Sequence, residues 1–301
     1  MNAIVQTKDL CKDFNGNIAV DHVNMTVRQG DIYGLIGKNG AGKTTFMRIV
    51  CGLAAPTGGE LTLFGSSDLE CQRQKMGCTI ENPALYPAMT AQENMEVYRI
   101  LLGIDDSKLI PDLLEFVGLH NLGHKKAKDF SLGMKQRLMI AIALMGNPEL
   151  LILDEPMNGL DPSGIKEVRE LLVKLNRERN LTIIISSHIL EELSKITTRY
   201  GIIHEGKMVD EFTAEELEIR CRKNLKIVTD RPEEAAALLK KQITANFEVH
   251  SNGDIVLYDQ LERIGEINRM LLEKGIEVTA LVPGEQELED YFMSLIGGKR
   301  A

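Results

Sequence analysis

Residues 37–44 read Gly-Lys-Asn-Gly-Ala-Gly-Lys-Thr. This stretch restricts the fold more than any other, because G-x-x-x-x-G-K-[ST] works only between a buried strand and a helix. Both flanks are present. Residues 31–36 (DIYGLI) end in an apolar run suited to a buried strand, and residues 44–50 (TTFMRIV) space Phe46 and Ile49 for one helical face. Strand, glycine-rich loop and helix predict a nucleotide-binding α/β fold. Gly37, Gly40 and Gly42 lack Cβ, so the loop can turn successive N–H groups onto one anion. The following helix adds the positive end of its dipole. Lys43 brings a movable charge to the β- and γ-phosphates, and Thr44 offers a hydroxyl to Mg²⁺. Contacts to a nucleotide's phosphates are therefore expected along Gly37, Lys38, Asn39, Gly40, Ala41, Gly42, Lys43, Thr44 and Thr45.

Bulk properties narrow the classes. A chain of 301 residues holds one large or two ordinary domains, and 44% hydrophobic with 26% charged residues is normal for a globular protein with a core. The net charge of -9 argues against nucleic acid as a partner. No stretch approaches the roughly 20 apolar residues that span a bilayer, and the N-terminus MNAIVQTKDL has no charged-then-apolar signal pattern. A membrane role then requires a separate membrane subunit. The five cysteines are odd in number and scattered, without C-x-x-C, and read as free buried thiols of a reducing cytosol. The six histidines show no ligand spacing.

The remaining pattern supplies further chemistry. Residues 4–13 and 18–28 read as antiparallel strands joined at Asn15-Gly16. Phe14, just ahead of that turn, is read either as a platform for adenine or as an ordinary strand aromatic. Residues 60–64 form another alternating strand, and residues 76–80 a short apolar run ending at Glu81. A loop with two prolines follows to Pro87, exposing Leu85 and Tyr86. Thr90 caps a helix, and helical periodicity continues over 91–128 with breaks near Gly103 and Gly118. Ser131 is placed to cap the next helix. Residues 150–153 (LLIL) form a strand covered on both faces, which delivers Asp154 and Glu155 at its C-terminal end. Two carboxylates there are costly unless they hold a cation or activate something. Asp161 caps a helix with Pro162 at its first position. Residues 181–186 form a second buried strand ending in Ser187-His188, and residues 200–204 with 207–212 a hairpin.

After residue 221 the elements change to βαββαβ, the ferredoxin-like order, and then a last helix over 285–296 with Leu288, Tyr291, Phe292 and Leu295 in one stripe. No reactive cluster is read there. The expected organisation is an ATP-binding domain over 1–218, with an antiparallel β subdomain and a helical subdomain at about 90–145, and a small α+β domain over 222–301.

Over roughly residues 3–215 the ordered motifs resemble the ATP-binding subunit of an ABC transporter. Gly37–Thr44 is similar to the Walker A loop, residues 150–155 to Walker B with its glutamate, residues 159–161 to the D-loop, and His188 to the switch histidine. Residues 130–134 resemble the signature loop. Leu132 and Met134 replace a glycine and the glutamine, while Ser131 and Gly133 are kept. The resemblance implies that Phe14 stacks on adenine, Thr44 and Asp154 hold Mg²⁺, Glu155 activates water, and His188 bonds the γ-phosphate. It also implies that Asp161 is a nucleotide contact, and that Ser131 and Gly133 serve the site of a second ATPase subunit, identical or paired, in a head-to-tail dimer. Glu81 stands where most members carry a glutamine that meets the metal. A carboxylate there can only accept hydrogen bonds, and its attraction to Mg²⁺ opposes its repulsion of phosphate, so its effect on hydrolysis is expected to be modest. The variant E-N-P-x-x-Y-P, the run S-L-G-M-K-Q-R and the C-terminal extension most resemble bacitracin- and lantibiotic-type peptide exporters. Such a subunit sits on the cytoplasmic face of the membrane, bound to separate permease subunits. The alternative is a soluble ABC-type clamp. That class usually brings basic patches, a coiled coil or two fused cassettes, whereas this chain has one cassette and no heptad run.

Overall fold

The structure, a computed structural model, describes residues 2–80, 85–221, 223–250, 252–284 and 291–293. Glu81 and the loop residues 82–84 lie outside the described residues, as does most of the expected last helix. Internal contacts divide the chain into Met1–Ala214 and Glu215–Ala301. That division falls a few residues ahead of the expected boundary at 218, within the helix that begins at Ala214.

The first unit opens with β1 (Ala3–Phe14) and β2 (Asn17–Arg28), paired antiparallel across a turn in which Asn15 and Gly16 both take positive φ. After β3 (Ile32–Ile36) and α1 (Lys43–Val50), β4 (Gly58–Leu63) pairs with the far side of β1. A short α2 (Leu69–Arg73), capped by the Asp68 carboxylate, leads to β5 (Met76–Thr79). The helical part comprises α3 (Ala91–Leu101), α4 (Leu109–Phe116) and α5 (Leu132–Ala143). Thr90 and Glu93 form a reciprocal capping box at the start of α3, as the Thr-x-x-Glu spacing dictates. Next come β6 (Leu150–Leu153), α6 (Pro162–Arg179), β7 (Thr182–Ser187), α7 (Leu190–Ser194), β8 (Arg199–His204) and β9 (Lys207–Thr213).

Two sheets result. The antiparallel one has the order β2-β1-β4, and the six-stranded one runs β5-β6-β7-β3-β8-β9, parallel except at its β8–β9 edge. Every position of β3, β6 and β7 is buried, which is why these strands are unbroken apolar runs up to Ser186 and Ser187. The core joins the sheets through α1: Phe46, Met47, Ile49 and Val50 pack in one cluster with Val5, Leu10 and Val23 on one side and Leu150, Ile152 and Ile184 on the other. Within β3, the buried Tyr33 hydroxyl donates to Glu211, which also accepts from Arg199. Burial, reinforced by Glu211, pushes the Tyr33 phenol well above its ordinary range. It therefore remains a donor at any physiological pH.

The second unit begins within α8 (Ala214–Arg220) and contains β10 (Asn224–Thr229), α9 (Pro232–Gln242), β11 (Phe247–Val249), β12 (Ile255–Leu257), α10 (Ile264–Glu273) and β13 (Val278–Gly284). The sheet order is β11-β12-β10-β13 with every neighbouring pair antiparallel. This is a split βαβ arrangement. Leu225 and Ile227 of β10 and Ile255 and Leu257 of β12 point to one face, where Leu239 of α9 and Ile267 and Leu271 of α10 cover them. All five cysteines are free, and Cys71 and Cys78 are exposed rather than buried. Cys71 lies on the short α2, no residue of which is buried.

Candidate active site

The loop between β3 and α1 is held by steric exclusion. A Cβ on Gly37 would lie 2.5 Å from the Ile203 carbonyl oxygen, and one on Gly42, at φ 107°, would lie 2.4 Å from the Ala19 carbonyl oxygen. Only glycine fits at either place. The loop is tied down from outside as well. Gly206, in the β8–β9 turn, donates its N–H to the Ala41 carbonyl, while its own carbonyl accepts from Asp21 N–H on β2. The loop residues 39–45, with Ala19 and Glu155, line a cavity of about 190 Å³.

Lys43 opens α1 and is only 5% exposed. A buried ammonium requires partners, and here Nζ donates to the carbonyls of Gly37 (2.7 Å) and Lys38 (3.3 Å). It also lies 3.2 Å from Glu155 Oε1. That oxygen receives no well-directed hydrogen bond, so the contact is Coulombic. The other Glu155 oxygen, Oε2, is 2.8 Å from His188 Nδ1.

Asp154 and Glu155 follow β6 directly. Asp154 Oδ2 accepts from the Thr44 hydroxyl at 2.7 Å, and Oδ1 accepts from the Ser186 hydroxyl at 2.5 Å. Ser186 Oγ accepts in turn from the Glu155 N–H at 2.8 Å. Glu155 takes a left-handed backbone, φ 49°, a conformation that a non-glycine residue adopts at a cost and that clusters at functional sites. The turn swings its carboxylate back over the loop toward Lys43.

Lys43, Thr44, Asp154, Glu155 and His188 thus converge. Ser131, Gly133, Asp161 and Phe14 line no part of that cavity. Ser131 caps α5 through the Met134 N–H, and Asp161 caps α6 through the Gly164 N–H. Gly133 faces the start of α6, with its absent Cβ 3.7 Å from Gly164 Cα. Phe14, at the end of β1, is 48% exposed, with Lys12 Nζ 4.7 Å from its ring centre. Ser186 was not anticipated. Its only signal is a hydroxyl closing an isoleucine run, and the register that sets it beside Asp154 pairs Leu153 with Ile185 across two distant segments.

The donor set sorts by chemistry. An ammonium at a glycine-rich loop suits an anion, and a hydroxyl with a carboxylate offers hard oxygens that suit Mg²⁺. A second carboxylate, beside an imidazole, is placed to accept a proton.

The ABC transporter family matches residues 20–158. The bacitracin transport ATP-binding protein BcrA of Bacillus licheniformis is 44% identical over 99% of both chains. The lantibiotic transport ATP-binding protein SrtF of Streptococcus pyogenes is 44% identical over 68% of this chain and 89% of its own. Among solved structures, an ATP-binding subunit of an ABC transporter is 28% identical with a TM-score of 0.62, covering 72% of this chain and 92% of that one. A dimeric ATP-binding cassette in a post-hydrolysis state with ADP and Pi is 27% identical with a TM-score of 0.62, covering 70% and 98%.

Proposed function

The chain belongs to the ABC transporter ATP-binding family, and from that premise we propose that it powers export of a peptide antibiotic or a related amphiphile, protecting the cell that carries it. It is an ATP-hydrolysing subunit of a transporter. The observation that carries the export reading is likeness to a bacitracin transport ATP-binding protein along 99% of the chain, the second unit included.

In this reading the loop amides and Lys43 hold the phosphates, Phe14 stacks on the adenine, and Thr44 with Asp154 holds Mg²⁺. Held there, the cation would supply positive charge to the phosphates. Glu155 orients the attacking water and takes its proton, and His188 both positions that carboxylate and bonds the γ-phosphate. Ser131, Gly133 and Asp161, outside the cavity, complete the site of a second ATPase subunit, so one chain alone turns over poorly. Glu81, outside the described residues, is assigned to the metal side of the site. The subunit works at the cytoplasmic face, docked on separate membrane-spanning partners. No described helix is long and apolar enough to cross a membrane.

Co-expression with a candidate membrane-spanning partner in a susceptible bacterium tests the function. Resistance to bacitracin-type or lantibiotic peptides is expected to rise, and to require an intact ATP site. Unchanged sensitivity with both subunits present at the membrane would count against peptide export.

Two expectations attach to the site itself. Ser186→Ala removes the one hydroxyl that ties the Asp154 carboxylate to the Glu155 backbone, leaving an Asp154 oxygen and the Glu155 N–H without it, a loss of about 1–3 kcal/mol. Steady-state ATPase should fall about 10-fold while ATP affinity changes only a few-fold, at about 1.4 kcal/mol per decade. An unchanged rate would remove Ser186 from the mechanism. Every residue assigned to this site lies in the first unit, so truncation after residue 218 should preserve nucleotide affinity and alter self-association by light scattering. A folded truncation that no longer binds ATP would contradict that division.

A further inference from the structure

One cluster of ligating side chains lies outside the nucleotide site, at a break in the β1–β2 ladder. Leu10 pairs with Val23 and Lys12 with Val20, so Cys11 alone faces both Asp21 and His22. Two residues against one is a β-bulge. His22 absorbs the extra residue with a left-handed backbone, φ 50°. Successive strand residues normally point to opposite faces. The bulge cancels that alternation, and one ligand atom from each of Cys11, Asp21 and His22 lies within 4.8 Å of the other two.

The contacts orient these atoms toward one another. His22 Nδ1 is 2.6 Å from Asp21 Oδ1, and Cys11 Sγ accepts the His22 N–H at 3.3 Å. Lys207 Nζ sits 3.2 Å from the other Asp21 oxygen, Oδ2. That lysine is an outer partner which orients the carboxylate and leaves Oδ1 to the cluster.

We propose that Cys11, Asp21 and His22 form a site for a borderline-soft divalent cation of the Zn²⁺ type. One thiolate, one imidazole and one carboxylate are the donors Zn²⁺ accepts, and water or a further ligand fills the fourth position. Tetrahedral donors around zinc stand roughly 3.5 Å apart, a spacing that small side-chain rotations at this half-exposed edge supply. Mg²⁺ and Ca²⁺, which take oxygen shells, are disfavoured by the sulfur and the imidazole. The Cys11 thiol, which now donates to the Asp9 carbonyl, gives its proton to solvent as the metal–sulfur bond forms. Affinity therefore rises with pH. The site connects with the phosphate loop through two hydrogen bonds, Asp21 N–H to Gly206 and Gly206 N–H to Ala41.

Titration of the full-length reduced chain with Co²⁺, without nucleotide, tests this. One equivalent should produce a thiolate-to-cobalt charge-transfer band, and Zn²⁺ should abolish it. Cys11→Ser should remove the band. His22→Asn, which tolerates the left-handed backbone, should weaken binding at least 10-fold. Cobalt at Thr44 and Asp154 gives no thiolate band, so the readout separates the two sites. A wild-type chain without the band, or a band that survives Cys11→Ser at full intensity, would overturn the proposal.

Discussion

Glu155→Gln keeps ATP bound and slows its hydrolysis by at least 100-fold. The substitution preserves side-chain volume and a hydrogen bond to His188, and it removes the negative charge and with it the ability to accept a proton. A positioned general base contributes about 10²–10⁴-fold, or roughly 3–5 kcal/mol of barrier. The strained φ of 49° and the Ser186 hydrogen bond to the Glu155 N–H come from the backbone, so they persist in the variant. The carboxylate charge beside Lys43 is lost, which frees the ammonium for phosphate and favours binding. On the proposed two-subunit site, in which ATP closes the dimer and hydrolysis reopens it, the variant should accumulate as an ATP-loaded dimer. Single-turnover kinetics report the chemistry and light scattering with ATP reports the dimer. Hydrolysis near the wild-type rate would exclude Glu155 as the base.

The second large effect is the opposite in kind. Lys43→Ala should abolish measurable ATP binding, a loss of 100-fold or more in affinity. The ammonium is 5% exposed and fixed by two loop carbonyls, so it meets the phosphates already desolvated and in place. Hydrogen bonds to charged groups contribute about 1.5–3 kcal/mol each, and two of them amount to that factor at about 1.4 kcal/mol per decade. Glu155 keeps its contact with His188, so the fold survives the change. Calorimetric titration measures the affinity, and the stabilisation ATP gives the wild type against heat should vanish. A variant that binds ATP within a few-fold of wild type would place the phosphates elsewhere.

Some of this is readable from the chain alone. Gly37, Gly42 and Lys43 are legible because one turn of backbone holds all their chemistry, and Asp154, Glu155 and His188 because buried strands must end where they stand. The fold of the first unit follows from the same strands. Ser186 is illegible because its partner, Asp154, is 32 residues away in sequence and is brought to it only by the register between two strands. Helix α2 is too short to show a period. The cluster at Cys11 is hidden twice: its donors sit on different strands, and a bulge reverses the face that alternation assigns to His22. Histidine spacing along the sequence therefore carries no trace of it.

The two hydroxyls beside Asp154 have a consequence in lone-pair direction. Thr44 and Ser186 each own a single hydrogen, and both point it at the same carboxylate. What Thr44 has left for the cavity is therefore lone pairs alone. Across the same space, the Lys43 ammonium can only donate. The site is polarised like a socket, with one wall that can only give and one that can only receive. A bare polyphosphate satisfies the first wall and is repelled by the second. A polyphosphate carrying a cation on one flank satisfies both, and in one orientation only, so the sense in which the metal-bound nucleotide seats is decided before any water is activated.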